Sequence, residues 1–271
     1  MPMSTTRRNH AGLRADTPSD YRIEALAKGL RVLSLFSERR PSLRLTDVVA
    51  ETGIPMPTAY RIAMTLVSEG FVEQLPDGQY RPGVKALTLG FSALQQLDLV
   101  DVATGRLQRL AEQTGETVNL AVLSDDNVLY LIRIRNNDLV TANIHVGSTL
   151  PAVYTSGGKV LLAYLSETEL RARITPRSFA YRAGPRAITS LDALLPELSV
   201  IRKQGYALQD EEMAVGLRSV AAPIRRSSNE VVAAANIAVN AIAWSKQRIL
   251  SELRPQILEA CEDISKLLGH R

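Results

Sequence analysis

Residues 45–69, LTDVVAETGIPMPTAYRIAMTLVSE, read as two short helices around one glycine. The first runs from about Thr46 to Thr52, with Val48 and Val49 on a buried face. Gly53 supplies a left-handed stop, and Ile54 anchors the turn. The second starts at Pro57, because proline is tolerated in a first helical turn and presets φ. It continues with Ala59, Ile62, Ala63, Leu66 and Val67 at helical spacing. A helix, a tight turn and a second amphipathic helix form a helix-turn-helix pattern. Gly70 then ends the second helix, Phe71 and Val72 open an extended segment, and Pro76-Asp77-Gly78 marks a turn before Gln79-Tyr80-Arg81. This is a β-hairpin, and it makes the unit a winged helix-turn-helix.

Upstream, Glu24 to Ser37 carries Ala27, Leu30, Leu33 and Leu35 in helical register. Leu43 to Leu45 is expected to pair with the wing as a short strand. Residues 1–22 are polar, lack the apolar core of a secretory leader, and are expected to form a disordered arm. Downstream, VKALTLGFSALQQL (84–97) reads as a linker helix, with Gly90 inviting a bend or close packing.

The 271 residues are enough for two cores, and 45% hydrophobic with 22% charged residues is an ordinary globular balance. One cysteine, Cys261, excludes an internal disulfide and fits a reducing, cytoplasmic setting. There is no apolar run long enough for a membrane helix. The net charge is +4, but residues 23–83 carry seven basic and seven acidic side chains. Nucleic-acid binding there requires basic groups clustered in space. Arg31, Arg39, Arg40, Arg44, Arg61 and Arg81 are the candidates.

Beyond the linker, a helix over about Val102–Thr114 gives way to strand-like Thr117–Leu123, Val128–Arg135 and Leu139–Val146. Later strands are expected at Tyr206–Gln209, Ser219–Pro223 and Val231–Val239. Helices are expected near Lys159–Leu165, Glu167–Ile174 and Leu191–Lys203, the second opened by a Ser166/Glu169 capping box. A last helix covers Lys246–Leu268, with Cys261 on its apolar face. Strands flanked by helices over this length imply an α+β domain with an antiparallel sheet. The expected boundaries are arm 1–22, winged domain 23–83, linker 84–98 and second domain 99–271.

In its order of motifs the chain resembles the IclR family of bacterial transcriptional regulators from about Ile23 to Leu268. The resemblance rests on ALAKGLRVLSLFSE, LTDVVAETGIPMPTAYRIAMTLVSEGFVE and YRPGVKALTLG in the first half. In the second it rests on GSTLPAVYTSGGKVLLAYLS and GYALQDEEMAVGLRSVAAPIRRSSNEVVAAANIAV. It implies a GAF-like effector-binding domain, a homodimer or homotetramer, and a double-stranded operator of palindromic or repeated half-sites about 34 Å apart. The stretch NIHVGSTLPAVYTSGGKVLLA is similar to the branch that senses aromatic acids of the hydroxybenzoate type. Met56-Pro57 departs from the serine or lysine often found before the threonine in relatives.

A reading helix presents its N-terminal residues to base edges, which nominates Met56, Pro57, Thr58, Tyr60 and Arg61, with Thr58 and Arg61 suited to phosphate or a base, and Arg44 and Arg81 join them from the basic candidates. Ser156-Gly157-Gly158 opens a helix whose free N–H groups suit a carboxylate. It is not a phosphate-binding loop, since Val153 and Val160 stand at two required positions. The resemblance places the effector among Ser156, Gly157, Gly158, Gln209, Asp210, Leu217, Ser219 and Asn236. His145 and Tyr154 would orient a ring, and Arg133 or Arg135 would pair with a carboxylate. Gln209 and Ser219 stand where some relatives carry an acid and a cysteine, which favours a ligand keeping its own negative charge. Histidines occur only at 10, 145 and 270, with no metal-spaced cluster and no G-x-S-x-G elbow. Neither catalysis, a cofactor nor a metal is expected. Two further readings stand: sensing of a glyoxylate- or pyruvate-like acid, and a winged-helix module that binds protein rather than DNA.

Overall fold

The computed structural model describes residues 22–37, 40–95, 98–135, 144–181 and 183–270. The expected arm, apart from Arg22, lies outside them, as do Arg39 and residues 139–143 of an expected strand. The chain divides into two compact units within its fourth helix, between Phe91 and Ser92.

The first unit opens with α1 (Glu24–Leu33). It stops four residues before Ser37, because the N–H groups of Leu35 and Phe36 close tighter turns and Ser37 then bridges to Arg40. α2 (Leu45–Thr52) ends at Gly53, whose φ of 67° is the left-handed stop. Ile54 is buried beneath the turn. α3 (Met56–Ser68) begins one residue earlier than expected, with Pro55 before it and Pro57 in its first turn. Val32, Val48, Ile54 and Ala59 form the core between the three helices.

The wing is β1 (Val72–Gln74) paired antiparallel with β2 (Tyr80–Pro82), turned at Gly78 with φ 79°. Leu43 bridges to Tyr80, but Leu45 is already helical, so the expected strand shrinks to a single pair. The Asp47 carboxylate accepts from the Arg44 N–H at 2.8 Å and draws the chain into α2. α4 (Val84–Gln95) follows.

In the second unit, α5 (Asp98–Thr114) precedes a hairpin of β3 (Thr117–Ser124) and β4 (Asn127–Ile134). Ile144–Val146 is not a strand. The next strand is β5 (Thr149–Pro151), which leads through a short 3-10 turn into α6 (Ser156–Ala163). Then come α7 (Glu167–Arg173), started by the Ser166/Glu169 capping box, and α8 (Leu191–Gln204). β6 (Ala207–Asp210), β7 (Leu217–Arg225) and β8 (Val231–Asn240) complete an antiparallel sheet of order β5-β4-β3-β8-β7-β6. The single terminal helix expected is instead α9 (Lys246–Arg248), a π-turn over Ile249–Leu253, and α10 (Arg254–Leu267). Pro255 has no N–H to give the ladder, and the wider turn absorbs the gap.

Strand alternation gives the sheet two unlike faces. Val118, Leu120, Val220, Ile224, Ile237 and Val239 face α5 and α10 in a core that includes Cys261. Burial pushes the Cys261 thiol up to about 12, so it is a packing group rather than a nucleophile. The other face carries Ala121, Ala207, Ala221 and Ala234. Small side chains there let α6, buried along its whole length, lie close against the strands.

Candidate functional site

On α3, Met56, Pro57, Tyr60 and Arg61 are exposed, while Thr58 is half-buried and Ala59 and Ala63 face the core. The residues nominated for DNA contact therefore lie on the outer side of the second helix. The zero net charge of this domain conceals an asymmetry. Glu24 pairs with Arg31 at 3.2 Å, Glu51 with Arg40 at 2.5 Å and Glu73 with Arg81 at 2.8 Å. Glu69 lies 3.9 Å from Lys85. Arg44 and Arg61 have no carboxylate within ion-pair distance among the described residues. The Gln79 N–H first lowers the Asp77 pKa, and Arg44, at the start of α2, lies near enough to help; Arg61, in the first half of α3, forms no ion pair among the described residues.

In the second unit a small cavity lies over the alanine-rich face, at the N-terminus of α6. Its floor is a polar row set by register. Arg133, Asn119 and Asn236 are cross-strand neighbours on β4, β3 and β8, and Ala238, Ser219 and Gln209 are the same on β8, β7 and β6. Arg133 Nη1 donates to Asn119 Oδ1 at 3.0 Å, and Asn119 Nδ2 donates to Asn236 Oδ1 at 3.3 Å. Burial first, then nearby Arg135, holds the Arg133 pKa below its ordinary value. At the other end Ser219 Oγ donates to Gln209 Oε1 at 3.3 Å and shares a 2.7 Å hydrogen bond with Ser156 Oγ. Gln209 is 1% exposed, and its Nε2 has no hydrogen-bond partner among the described residues. Ile144, Leu150, Met213 and Leu217 form the apolar walls.

Five of the ten nominated effector residues meet here: Ser156, Gln209, Leu217, Ser219 and Asn236, joined by Arg133. The others do not line the cavity. Asp210 follows Gln209 on a strand and so points to the opposite side, where Arg186, Arg218 and Lys246 surround it. Tyr154 is buried and gives its hydroxyl proton to the Phe179 carbonyl at 2.9 Å. His145 is exposed on a turn, and Arg135 is exposed, reaching the Ile144 carbonyl. Gly158 serves packing rather than ligand approach, because an added Cβ would lie 2.3 Å from the Ala152 carbonyl oxygen. Gly157 meets only Ala234, at 3.8 Å. Among the lining residues that sequence reasoning missed are Asn119, Tyr130, Thr155 and Met213. Only strand alternation marks Asn119, as the polar residue between two inward-facing core positions.

Beside the cavity, Lys159 of α6 is fully buried and ion-paired with Glu212 and, at 2.7 Å, with Glu197. Glu212 immediately precedes the wall residue Met213. Burial raises its carboxyl pKa despite the opposing pull of Lys159. Among the described residues no group of three His, Cys, Asp or Glu side chains is placed to hold a metal ion. No described helix is long and apolar enough to cross a membrane.

Two sequence families match this architecture: the IclR helix-turn-helix domain over residues 25–76, and the C-terminal domain of bacterial IclR transcriptional regulators over residues 91–266. The chain belongs to the IclR family. The acetate operon repressor of Salmonella typhimurium is 31% identical over 260 residues, covering 93% of this chain and 92% of that one. The Pca regulon regulatory protein of Pseudomonas putida is 32% identical over 242 residues, covering 89% and 82%. A crystal structure of an IclR homolog from Microbacterium hydrocarbonoxydans complexed with 4-hydroxybenzoate superposes with a TM-score of 0.72 at 26% identity, covering 90% and 99%. These families and relatives are transcriptional regulators, not enzymes. The IclR-family chain thus has a DNA-binding winged helix and a C-terminal antiparallel-sheet domain.

Proposed function

We propose that this IclR-family regulator controls a bacterial catabolic operon by reading operator DNA with α3 and sensing a small organic acid, aromatic in character, in the cavity over β3, β7 and β8. The observation that carries the effector reading is the buried polar floor, with a cationic residue at one end and an open donor on Gln209 at the other. Ligand sites are mostly apolar with a few placed polar groups, and Met213, Leu217, Ile144 and Leu150 supply the apolar part. The Pca regulon relative and the 4-hydroxybenzoate-bound homolog support an aromatic acid.

The cavity volume favours a second reading. It is about 30 Å³, whereas a cavity that accepts benzene is about 150 Å³. An aromatic ring must therefore displace the Met213 and Leu217 side chains, of which methionine is the more pliable. An acid of two to four carbons needs less movement, and the acetate operon relative has a similar identity. A thermal-shift panel of aromatic and short aliphatic acids separates the two. An acid at 100 times its Kd stabilises the native state by about 2.7 kcal/mol. A shift with hydroxybenzoates alone supports the aromatic reading, and a shift with glyoxylate or pyruvate alone replaces it.

Association between copies is the remaining part of the reading. Ile23, just before α1, and Leu26 and Leu30 on it are 65%, 59% and 54% exposed along one stripe. An uncovered apolar stripe on a helix is the kind of surface a dimer buries. For DNA, Arg61→Ala is expected to weaken operator binding by about 5- to 100-fold if the guanidinium meets a base edge. If it meets phosphate, the loss is sequence-independent, and the log–log salt slope falls by about 0.9. Electrophoretic titration at several salt concentrations reads both. Retention of full affinity would move the reading surface off α3.

A further inference from the structure

We infer that the cavity selects acids with a second, acceptor oxygen at the end remote from the carboxylate, and that Gln209 is the residue that makes this selection. The inference rests on the proposed effector role of the cavity and goes one step deeper, to the chemistry of both ligand ends.

The direction of the hydroxyl chain follows from the Ser219–Gln209 contact. Ser219 has one proton and donates it to Gln209 Oε1 at 3.3 Å, so Ser156 must donate in the 2.7 Å contact with Ser219. Gln209 Oε1 is thereby occupied, and what the amide offers to the cavity is Nε2, a pure donor. That donor is buried and unpartnered among the described residues. A buried donor without a partner is costly, and a ligand acceptor relieves the cost. Carbonyl, phenol and carboxylate oxygens all satisfy it, whereas a C–H group does not.

The other end is set by Arg133, the one charged side chain lining the cavity among the described residues, with its Nη1 held by Asn119 at 3.0 Å. A carboxylate suits the guanidinium. Arg133 and Gln209 stand on β4 and β6, but Arg133 Nη1 reaches Asn119 on β3 and Gln209 Oε1 reaches Ser219 on β7, strands two spacings apart across β8. That is about 10 Å, the scale of a small acid with a hydrogen bond at each end. The ligand class is therefore a carboxylate with a distal acceptor oxygen: a hydroxyaryl acid, an acid with a remote oxo group or a dicarboxylate. An acidic residue at position 209 would present acceptors to that same oxygen; glutamine reverses the preference.

The test uses matched pairs that differ at the distal end, 4-hydroxybenzoate against benzoate and succinate against butyrate, with affinities from titration calorimetry on the full chain. In the pair that fits, the oxygenated member is expected to bind about 10- to 100-fold tighter. Gln209→Met, close in length and shape, should bring that ratio to about one by weakening only the oxygenated acid. Gln209→Asn, which withdraws the amide by one methylene, should lower the ratio without adding an apolar tip. Arg133→Met should weaken both members of a pair alike.

Equal affinities within each pair for the unmodified protein would overturn the selection by Gln209 while leaving the cavity as an acid site. A ratio that survives Gln209→Met, in a variant whose unliganded melting temperature is unchanged, would do the same. Failure of all four acids to bind would overturn this inference, and failure of glyoxylate and pyruvate as well would overturn the acid-sensing reading beneath it.

Discussion

Gly158→Ala is expected to lower the melting temperature of the second domain by about 6 to 12 °C, while Gly157→Ala leaves it unchanged or raises it slightly. The two glycines are adjacent in the same helix turn, yet their surroundings differ. A Cβ on Gly158 would sit 2.3 Å from the Ala152 carbonyl oxygen and 2.4 Å from the Ala152 Cα, both backbone atoms. Backbone cannot rotate aside, so the 3-10 turn and α6 must part, and overpacking of this kind costs about 3 kcal/mol or more. For a domain of this size each kcal/mol moves the melting temperature by about 2–4 °C. A Cβ on Gly157 meets Ala234 Cβ at 3.8 Å, an ordinary contact. Exchanging glycine for alanine inside a helix is worth up to about 1 kcal/mol in its favour. Thermal melts followed by circular dichroism decide the matter. Equal melting temperatures for the two variants would mean that α6 is not held against Ala152 as described.

That contrast shows where sequence reading succeeds and where it stops. The Ser-Gly-Gly turn was legible as a helix start, and Thr155 does cap it, accepting from the Gly158 N–H at 3.0 Å. A local pattern cannot tell a glycine needed by a ligand from one needed by its own chain, because Ala152 approaches through the turn before the helix. The two helices around Gly53 were legible to within a residue, since Gly53, Gly78 and the prolines around Met56 act on their neighbours, whereas α1 ended four residues short of its expected end. Alternation supplied the strands and could have excluded Asp210 once Gln209 was taken as inward-facing. Asn119 and Met213 were hidden for another reason. The place of Asn119 follows from the pairing of β3 with the distant β8, and that of Met213 from how the loop between β6 and β7 lies over the sheet, and no short window holds either. Lys159 was hidden too. A lysine is read as a surface residue, and only its two glutamates, 38 and 53 positions away in the chain, make its burial tolerable.

Lys159→Met is expected to destabilise the second domain by about 3–5 kcal/mol at neutral pH, with the deficit shrinking as the solution is acidified toward about pH 5. The intact ion pairs need not be strongly stabilising, because desolvation offsets much of their attraction. Removing the cation is different, since it leaves the Glu212 carboxylate buried with Glu197 as a like-charged neighbour. Glu212 already has its pKa raised above 4.5, by burial first and by Glu197, with Lys159 pulling the other way. A carboxyl raised in the folded state binds more protons there than in the unfolded chain. Its contribution is therefore full below the unfolded value and is lost as pH rises through the folded one. Without Lys159 the folded value rises further, so the loss at neutral pH grows and acid restores it. Adding Glu212→Gln should recover much of the loss at neutral pH and flatten the pH profile. Denaturant melts of the single and double variants from about pH 5 to 8 measure this directly, and a deficit constant across that range would show that the charge of Glu212 is not its source. The triad also bears on sensing, because Glu212 ties the segment carrying Met213 to the helix that begins at Ser156. Lys159→Met is thus expected to lose acid affinity together with stability, and to regain both when Glu212 is neutralised.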